Sequence, residues 1–171
     1  MDNQNAILVV GGTGGIGLAV ATHYAALGRR VFVTSRDESR AVAVAKSLGD
    51  SVTGLGLDLS DPGSIDLALS GVPGPLGGLV LGAVDSYFNT IRDFDIAGAV
   101  EISTIKLVGY PEVIHCLLDR LAADASLVLF GGLAKERPYF GSTMVSTVND
   151  AMCGLVSSLA RELGPMRING I

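Results

Sequence analysis

Seven residues near the start of the chain, Gly11-Gly12-Thr13-Gly14-Gly15-Ile16-Gly17, have the types and spacing to cradle a pyrophosphate. They follow an apolar run, Ala6 to Val10, and precede a helical pattern, Leu18 to Leu27. A strand that turns through glycines into a helix aims unpaired N–H groups and the positive end of the helix dipole at an anion. Glycines let the backbone turn sharply and approach phosphates where a Cβ would clash. Two spacings coexist. Gly12-x-Gly14-x-x-Gly17 fits the general dinucleotide fingerprint, and Gly11-x-x-x-Gly15-x-Gly17 fits a variant with a longer turn. A glycine-rich turn without a ligand is the alternative, and the strand–turn–helix setting speaks against it.

The elements that must position this turn alternate along the chain. Ala6–Val10 reads as a strand buried on both faces, being continuously apolar. Leu18–Leu27 is a helix closed by Gly28. A strand is expected at Arg30–Thr34, then a helix at Arg40–Leu48 capped by Asp37 or Ser39. A third strand is expected at Val52–Leu57, followed by a short helix opened by Asp61-Pro62. Gly71 to Gly78 is a connector before a strand at Leu79–Val84. Helices follow at Ile91–Ile102 and Thr104–Leu121, the second kinked by Pro111. Then come a strand at Ser126–Phe130, a loop, a long helix at Thr143–Leu163 and a last strand from Arg167. Strands alternating with helices imply βαβ units with right-handed crossovers. The expected fold is α/β: a single Rossmann-type domain over residues 1–171, with a doubly wound parallel sheet.

Composition narrows the function classes. Hydrophobic residues make up 49% of the 171 positions and charged residues 17%, a core-forming balance. The net charge of −5 comes without a basic stripe, which argues against nucleic acid as a partner. The start, Met1 to Asn5, is polar and acidic, unlike a signal peptide, and no apolar run reaches the roughly 20 residues of a membrane span. Cys116 and Cys153 stand far apart and form no metal or redox motif, so buried free thiols in the cytoplasm are expected. His23 and His115 have no partner at metal or triad spacing, and no metal site is expected.

Taken with these elements, the sequence resembles the short-chain dehydrogenase/reductase family over essentially its whole length. The glycine turn matches the family's motif. Asp58-Leu59-Ser60, after the third strand, resembles the family's adenine-contacting acid segment. Leu79-Val80-Leu81-Gly82-Ala83 lies where the family has an Asn-Asn-Ala-Gly loop, and only Ala83 fits well. Leu159-Ala160-Arg161-Glu162-Leu163 and Arg167-Ile168-Asn169 resemble the end of the catalytic helix and the sixth strand. The resemblance implies a nicotinamide cofactor held by Gly11, Thr13, Gly14, Gly15, Ile16, Gly17, Asp58, Leu59 and Ala83. It also implies a small carbonyl or alcohol substrate, and a homodimer or homotetramer formed through the two long helices.

Cofactor choice follows from the end of the second strand. An acid there accepts from the ribose hydroxyls and repels a 2′-phosphate. Here the sequence is Thr34-Ser35-Arg36, a hydroxyl and a guanidinium suited to phosphate, so NADP(H) is preferred. Asp37, next door, keeps NAD(H) open.

The catalytic part departs from the family. The resemblance implies a serine after strand five, a Tyr-x-x-x-Lys on the next helix and an asparagine on the helix before. Here the serine falls on Gly131 or Gly132, the tyrosine on Val145, the lysine on Asn149 and the asparagine on Lys106. Lys106 and Asn149 resemble the exchanged pair of polyketide-type ketoreductases, and they are the candidate catalytic residues; a surface lysine with a locally bonded asparagine is the alternative. Val145 has no proton to give. Tyr139, Ser142, Thr143 and Ser146 are weak substitutes, with Tyr139 the expected loop anchor and Ser142 or Thr143 the expected N-cap. Asp85-Ser86 is a further expected cap. Two readings remain: an NADP(H)-dependent oxidoreductase, or a nucleotide-binding or assembly protein of the same fold without turnover. The sequence given ends at Ile171, where family members continue into a substrate-covering lobe, so a fragment or a partner-dependent chain is expected.

Overall fold

The computed structural model describes residues 5–84 and 87–171. The expected cap at Asp85-Ser86 and the first four residues lie outside the described residues. β1 (Ala6–Val10) is buried along its length. β2 (Val31–Ser35) and β4 (Leu76–Leu81) are nearly so. With β3 (Val52–Gly56), β5 (Leu121–Leu129) and β6 (Arg167–Gly170) they form a six-stranded sheet in the order β3-β2-β1-β4-β5-β6. Every pairing is parallel. The order reverses between β1 and β4, and the crevice beyond the carboxyl ends of those strands is where open α/β sheets receive ligands.

Helices cover both faces. α1 (Gly15–Ala26) and α2 (Glu38–Leu48) lay Ala21 and Ala45 on Ile7, Val9 and Val33. Small residues at these contacts bring the helices close to the sheet. On the other face, α3 (Ile65–Leu69), α5 (Tyr110–Leu117) and α6 (Thr143–Glu162) pack Leu69, Tyr110, Leu117 and Met152 against Leu8, Leu79 and Leu127. Each fully buried Leu side chain contributes about 1.5–3 kcal/mol, so this face supplies most of the hydrophobic drive.

Several boundaries differ from the expectations. α1 begins three residues before Leu18, at Gly15. α2 begins at Glu38 because Asp37 caps it, accepting from the Arg40 N–H at 3.3 Å. β4 starts at Leu76, inside the expected connector, where Leu76 pairs with both Ala6 and Leu121. Residues 91–95 are not helical; α4 (Ile96–Ser103) begins where Asp95 accepts from the Ala97 and Gly98 N–H groups.

The two expected helices, Ile91–Ile102 and Thr104–Leu121, are one continuous helical rod from Ile96 to Arg120. Its irregularity is a π turn at Thr104–Gly109, just before Pro111. Pro111 has no N–H for the carbonyl four residues back, and its ring crowds that carbonyl, so the ladder loosens upstream. The cysteines correct another expectation: both are free, but Cys116 is only partly buried and Cys153 is exposed. Among the described residues, no helix is long and apolar enough to cross a membrane.

Candidate cofactor and active site

The glycines of the first turn divide into two groups by what surrounds them. A Cβ on Gly11 would lie 2.7 Å from Ala83 Cα, and one on Gly12 would lie 2.9 Å from Val33 Cγ1. A Cβ on Gly17 would lie 2.3 Å from the Gly11 carbonyl oxygen. These three let the turn lie against β4, β2 and itself. Gly15 differs: it has φ +51°, and a Cβ there meets nothing within 4 Å. Gly14, the N-cap of α1, would meet only Arg40 Nη2, at 3.5 Å. The turn is fixed from the side by Thr34, 1% exposed, whose Oγ1 and carbonyl accept from the Gly11 and Gly12 N–H groups at 3.3 and 3.2 Å.

Beside this turn lies a cavity of about 760 Å³. Every residue expected to hold the cofactor lines it: Gly11, Thr13, Gly14, Gly15, Ile16, Gly17, Ser35, Arg36, Asp58, Leu59 and Ala83. The residues fit a dinucleotide on observations of this chain alone. The open space beside Gly14 and Gly15 adjoins the start of α1, whose first N–H groups lack intrahelical acceptors and suit an anion. Ser35, Arg36 and Arg40 also line the cavity, with the Arg40 guanidinium beside Thr13 and Gly14. Asp37 is not part of that wall. Its carboxylate accepts from Ser39 Oγ at 2.6 Å and from the Arg40 N–H, and these bonds hold it below its ordinary acidity range. Asp58 accepts from the Ser60 hydroxyl and N–H at 2.7 and 2.9 Å, which orients its carboxylate at the cavity edge.

Lys106 and Asn149 come together as the exchange expects. Lys106 is 3% exposed and Asn149 5%. Lys106 Nζ donates to Asn149 Oδ1 at 2.9 Å and to the Phe130 and Gly131 carbonyls at 3.0 Å each. Burial pulls the amine down to about 8 from its ordinary 10.5. The π turn carries this side chain, and π turns often mark functional positions. The alternative of a surface lysine is thereby corrected. Gly132, one of the two glycines expected at the serine position, sits against Asn149: a Cβ there would lie 2.6 Å from Nδ2.

Val145, Tyr139, Lys106 and Asn149 line a second, smaller cavity of about 330 Å³. Ser142 occupies the N-cap position of α6 without capping it by side chain. Its hydroxyl donates to the Tyr139 carbonyl at 2.7 Å, accepts from the Tyr139 N–H at 3.0 Å and pairs with Ser146 Oγ at 2.8 Å. His23 and His115 are exposed, and among the described residues no cluster of His, Cys, Asp or Glu could hold a metal.

Three residues escaped the sequence reading. Arg40 lines the cavity and donates to the Thr13 carbonyl at 3.4 Å; its place in the first turn of a helix capped by Asp37 was the available signal. Tyr110 is fully buried and donates from its hydroxyl to the Ala83 carbonyl at 2.7 Å, bracing the end of β4; burial raises its pKa far above the usual phenol value. Lys135 lines the cavity mouth, in a 2.7 Å ion pair with Glu136. Nothing in the local sequence pointed to the last two.

Comparison with known proteins agrees with this geometry. Residues 5–171 match the short chain dehydrogenase family. Serine 3-dehydrogenase of Agrobacterium fabrum is 26% identical over 148 residues, covering 81% of this chain and 57% of the relative. Cis-2,3-dihydrobiphenyl-2,3-diol dehydrogenase of Paraburkholderia xenovorans is 28% identical over 181 residues, covering 97% of this chain and 64% of the relative. The chain thus spans less than two thirds of the length of these relatives. Among solved structures, a glucose/ribitol-type short-chain dehydrogenase/reductase from Brucella melitensis superposes with a TM-score of 0.89. It shares 26% identity, and the match covers 99% of this chain and 71% of that one. With the glycine turn, the strand order and the cavity in agreement, the chain belongs to the short-chain dehydrogenase family.

Proposed function

We propose that this chain binds NADP(H) in the larger cavity and serves hydride transfer to or from a small carbonyl or alcohol compound. The observation that carries this reading is the wall of that cavity. Gly14, Gly15 and the start of α1 border open space, and Ser35, Arg36 and Arg40 line the same cavity, Arg40 beside Thr13 and Gly14. Two guanidiniums and a hydroxyl favour a 2′-phosphate. Asp37, the one acid that would favour NAD(H), is engaged in capping α2. Asp58 and Leu59 would meet the adenine, and Ala83 the middle of the dinucleotide. Lys106 and Asn149 would form the polar pair at the nicotinamide half. The cofactor supplies the hydride chemistry; the chain supplies binding and orientation.

Self-association belongs to this reading. Along the helical rod Ile96, Val100 and Val108 are 70%, 59% and 50% exposed, an apolar stripe that a second copy would cover as a homodimer or homotetramer. The free thiols suit a reducing compartment such as the cytoplasm. A second reading, nucleotide binding without turnover, is favoured by Val145 and Gly132, which bring no proton donor to the smaller cavity.

The test is a calorimetric titration of NADPH and NADH into the protein and its Arg36→Ala variant, followed by a ketone panel. Micromolar NADPH binding, weaker NADH binding, and a roughly 10-fold or greater loss for NADPH alone in the variant are expected, since hydrogen bonds to charged groups contribute about 1.5–3 kcal/mol. Equal affinities for both nucleotides would remove the NADP(H) preference. Binding without NADPH oxidation by any ketone would favour the second reading.

A further inference from the structure

The two cavities meet at Lys106, Gly131 and Gly132. The wall of the smaller one is aliphatic or glycine except at Lys106, Asn149 and Tyr139. Reducing a carbonyl requires a proton for its oxygen, and positioned side chains commonly supply it. Val145 has none, and the amide of Asn149 is no acid. Lys106 Nζ carries three N–H donors, and it directs them at the Phe130 carbonyl, the Gly131 carbonyl and Asn149 Oδ1. None is left for a substrate. The same saturation leaves no cationic donor for a substrate carboxylate in this cavity. Tyr139 is the remaining titratable side chain on the wall. Its hydrogen bonds to Ser142 are made by its backbone, and they hold the loop in place while the residue stays 57% exposed.

Resting on the reading of the chain as an NADP(H)-dependent oxidoreductase, we propose that the smaller cavity takes an uncharged, apolar ketone or aldehyde and that Tyr139 is the catalytic residue that protonates its oxygen. The carbonyl carbon accepts the hydride as a new C–H bond. The π pair of the C=O bond moves to oxygen, which takes the phenol proton, and the product is an alcohol. NADPH is oxidised by two electrons to NADP⁺, and the phenolate regains its proton from water at the exposed ring. In the direction of alcohol oxidation each transfer reverses.

Acetophenone and acetoacetate are the probes, apolar and anionic. Ligand-observed NMR on the protein should detect acetophenone but not acetoacetate, and Val145→Phe, which places a larger ring in the cavity, should abolish the signal. With NADPH present, acetophenone should be reduced, and Tyr139→Phe should lower kcat by about 10²–10⁴. The variant's NADPH affinity and unfolding temperature should not change, because the deleted hydroxyl makes no bond to the described residues. An unchanged rate in Tyr139→Phe overturns its role and leaves the oxidoreductase reading standing. So does a rate that falls with a midpoint near pH 8, which gives the proton to Lys106. NADPH and acetophenone binding without turnover overturns the proton transfer and leaves both binding sites. Failure of NADPH to bind overturns the oxidoreductase reading, while the acetophenone signal still decides the cavity.

Discussion

Lys106→Met should change how stability depends on pH. The ammonium is 3% exposed, and burial brings its pKa to about 8, against 10.5 in the unfolded chain. Between those values the unfolded state holds more protons than the folded state, so folding becomes more favourable as pH rises. Below about pH 8 both states are protonated and the penalty of burying the charge is felt in full. Above 10.5 both are neutral and it is absent. The gap of about 2.5 units corresponds to about 3 kcal/mol at 1.36 kcal/mol per unit. Methionine keeps an unbranched stem of similar reach and carries no charge. Urea unfolding of both proteins at pH 7, 8, 9 and 10 isolates the effect, since other titrating groups are common to both. The stability difference should move toward the wild type by most of that 3 kcal/mol across the range. Parallel pH profiles would refute the burial argument, and movement toward the variant would reverse its sign.

Other substitutions separate packing from binding. In Gly17→Ala the new Cβ meets the Gly11 carbonyl oxygen at 2.3 Å. Both are parts of the main chain, so the turn must shift at a cost of about 1–3 kcal/mol. Calorimetry should show the melting temperature fall by roughly 2–4 °C per kcal/mol. Gly15→Ala meets no atom but holds φ at +51°; it should cost about 1–2 kcal/mol and also weaken NADPH binding, because its methyl enters the open space on the cavity wall. Equal NADPH affinity in that variant would contradict the assignment of Gly15 to the cradle. Tyr110→Phe removes the 2.7 Å hydrogen bond to the Ala83 carbonyl and should cost about 1–3 kcal/mol in urea unfolding; no loss would mean that the phenol does not brace β4.

The fold was legible because a sheet buried on both faces writes continuous apolar runs. Ala6–Val10 was read to the residue for that reason. Boundaries failed where pairing overrode local chemistry. Gly77 and Gly78 looked like connector, yet Leu76 is drawn into β4 by partners on both sides, and a strand squeezed there tolerates residues without Cβ. The split between Ile91–Ile102 and Thr104–Leu121 failed because a π turn at Thr104–Gly109 joins the two into one rod while shifting its phase. The glycine turn was readable from spacing, but the packing within it was not. Which glycine packs and which borders open space depends on Val33, Ala83 and the Gly11 carbonyl, remote in sequence or facing inward. Tyr110 reaches the Ala83 carbonyl across the fold and left no local trace.

Gly132, Asn149 and Lys106 form a single packed arrangement. The Asn149 amide lies where a side chain at position 132 would stand: a Cβ on Gly132 would come within 2.6 Å of Nδ2. A serine at 132 would therefore collide with the amide in this geometry, so the glycine and the asparagine require one another. The amide is held in turn by Lys106, which also ties down the Phe130 and Gly131 carbonyls at the end of β5. That amine stands in the π turn, where the rod is locally underwound, and close by Gly109 allows an approach to Leu59 that a Cβ would block at 2.8 Å from the Leu59 carbonyl oxygen. Gly132 makes room for the Asn149 amide, and Lys106 anchors it. Gly132→Ser would thus press on that amide and disturb the Lys106 bond rather than add a free hydroxyl to the cavity.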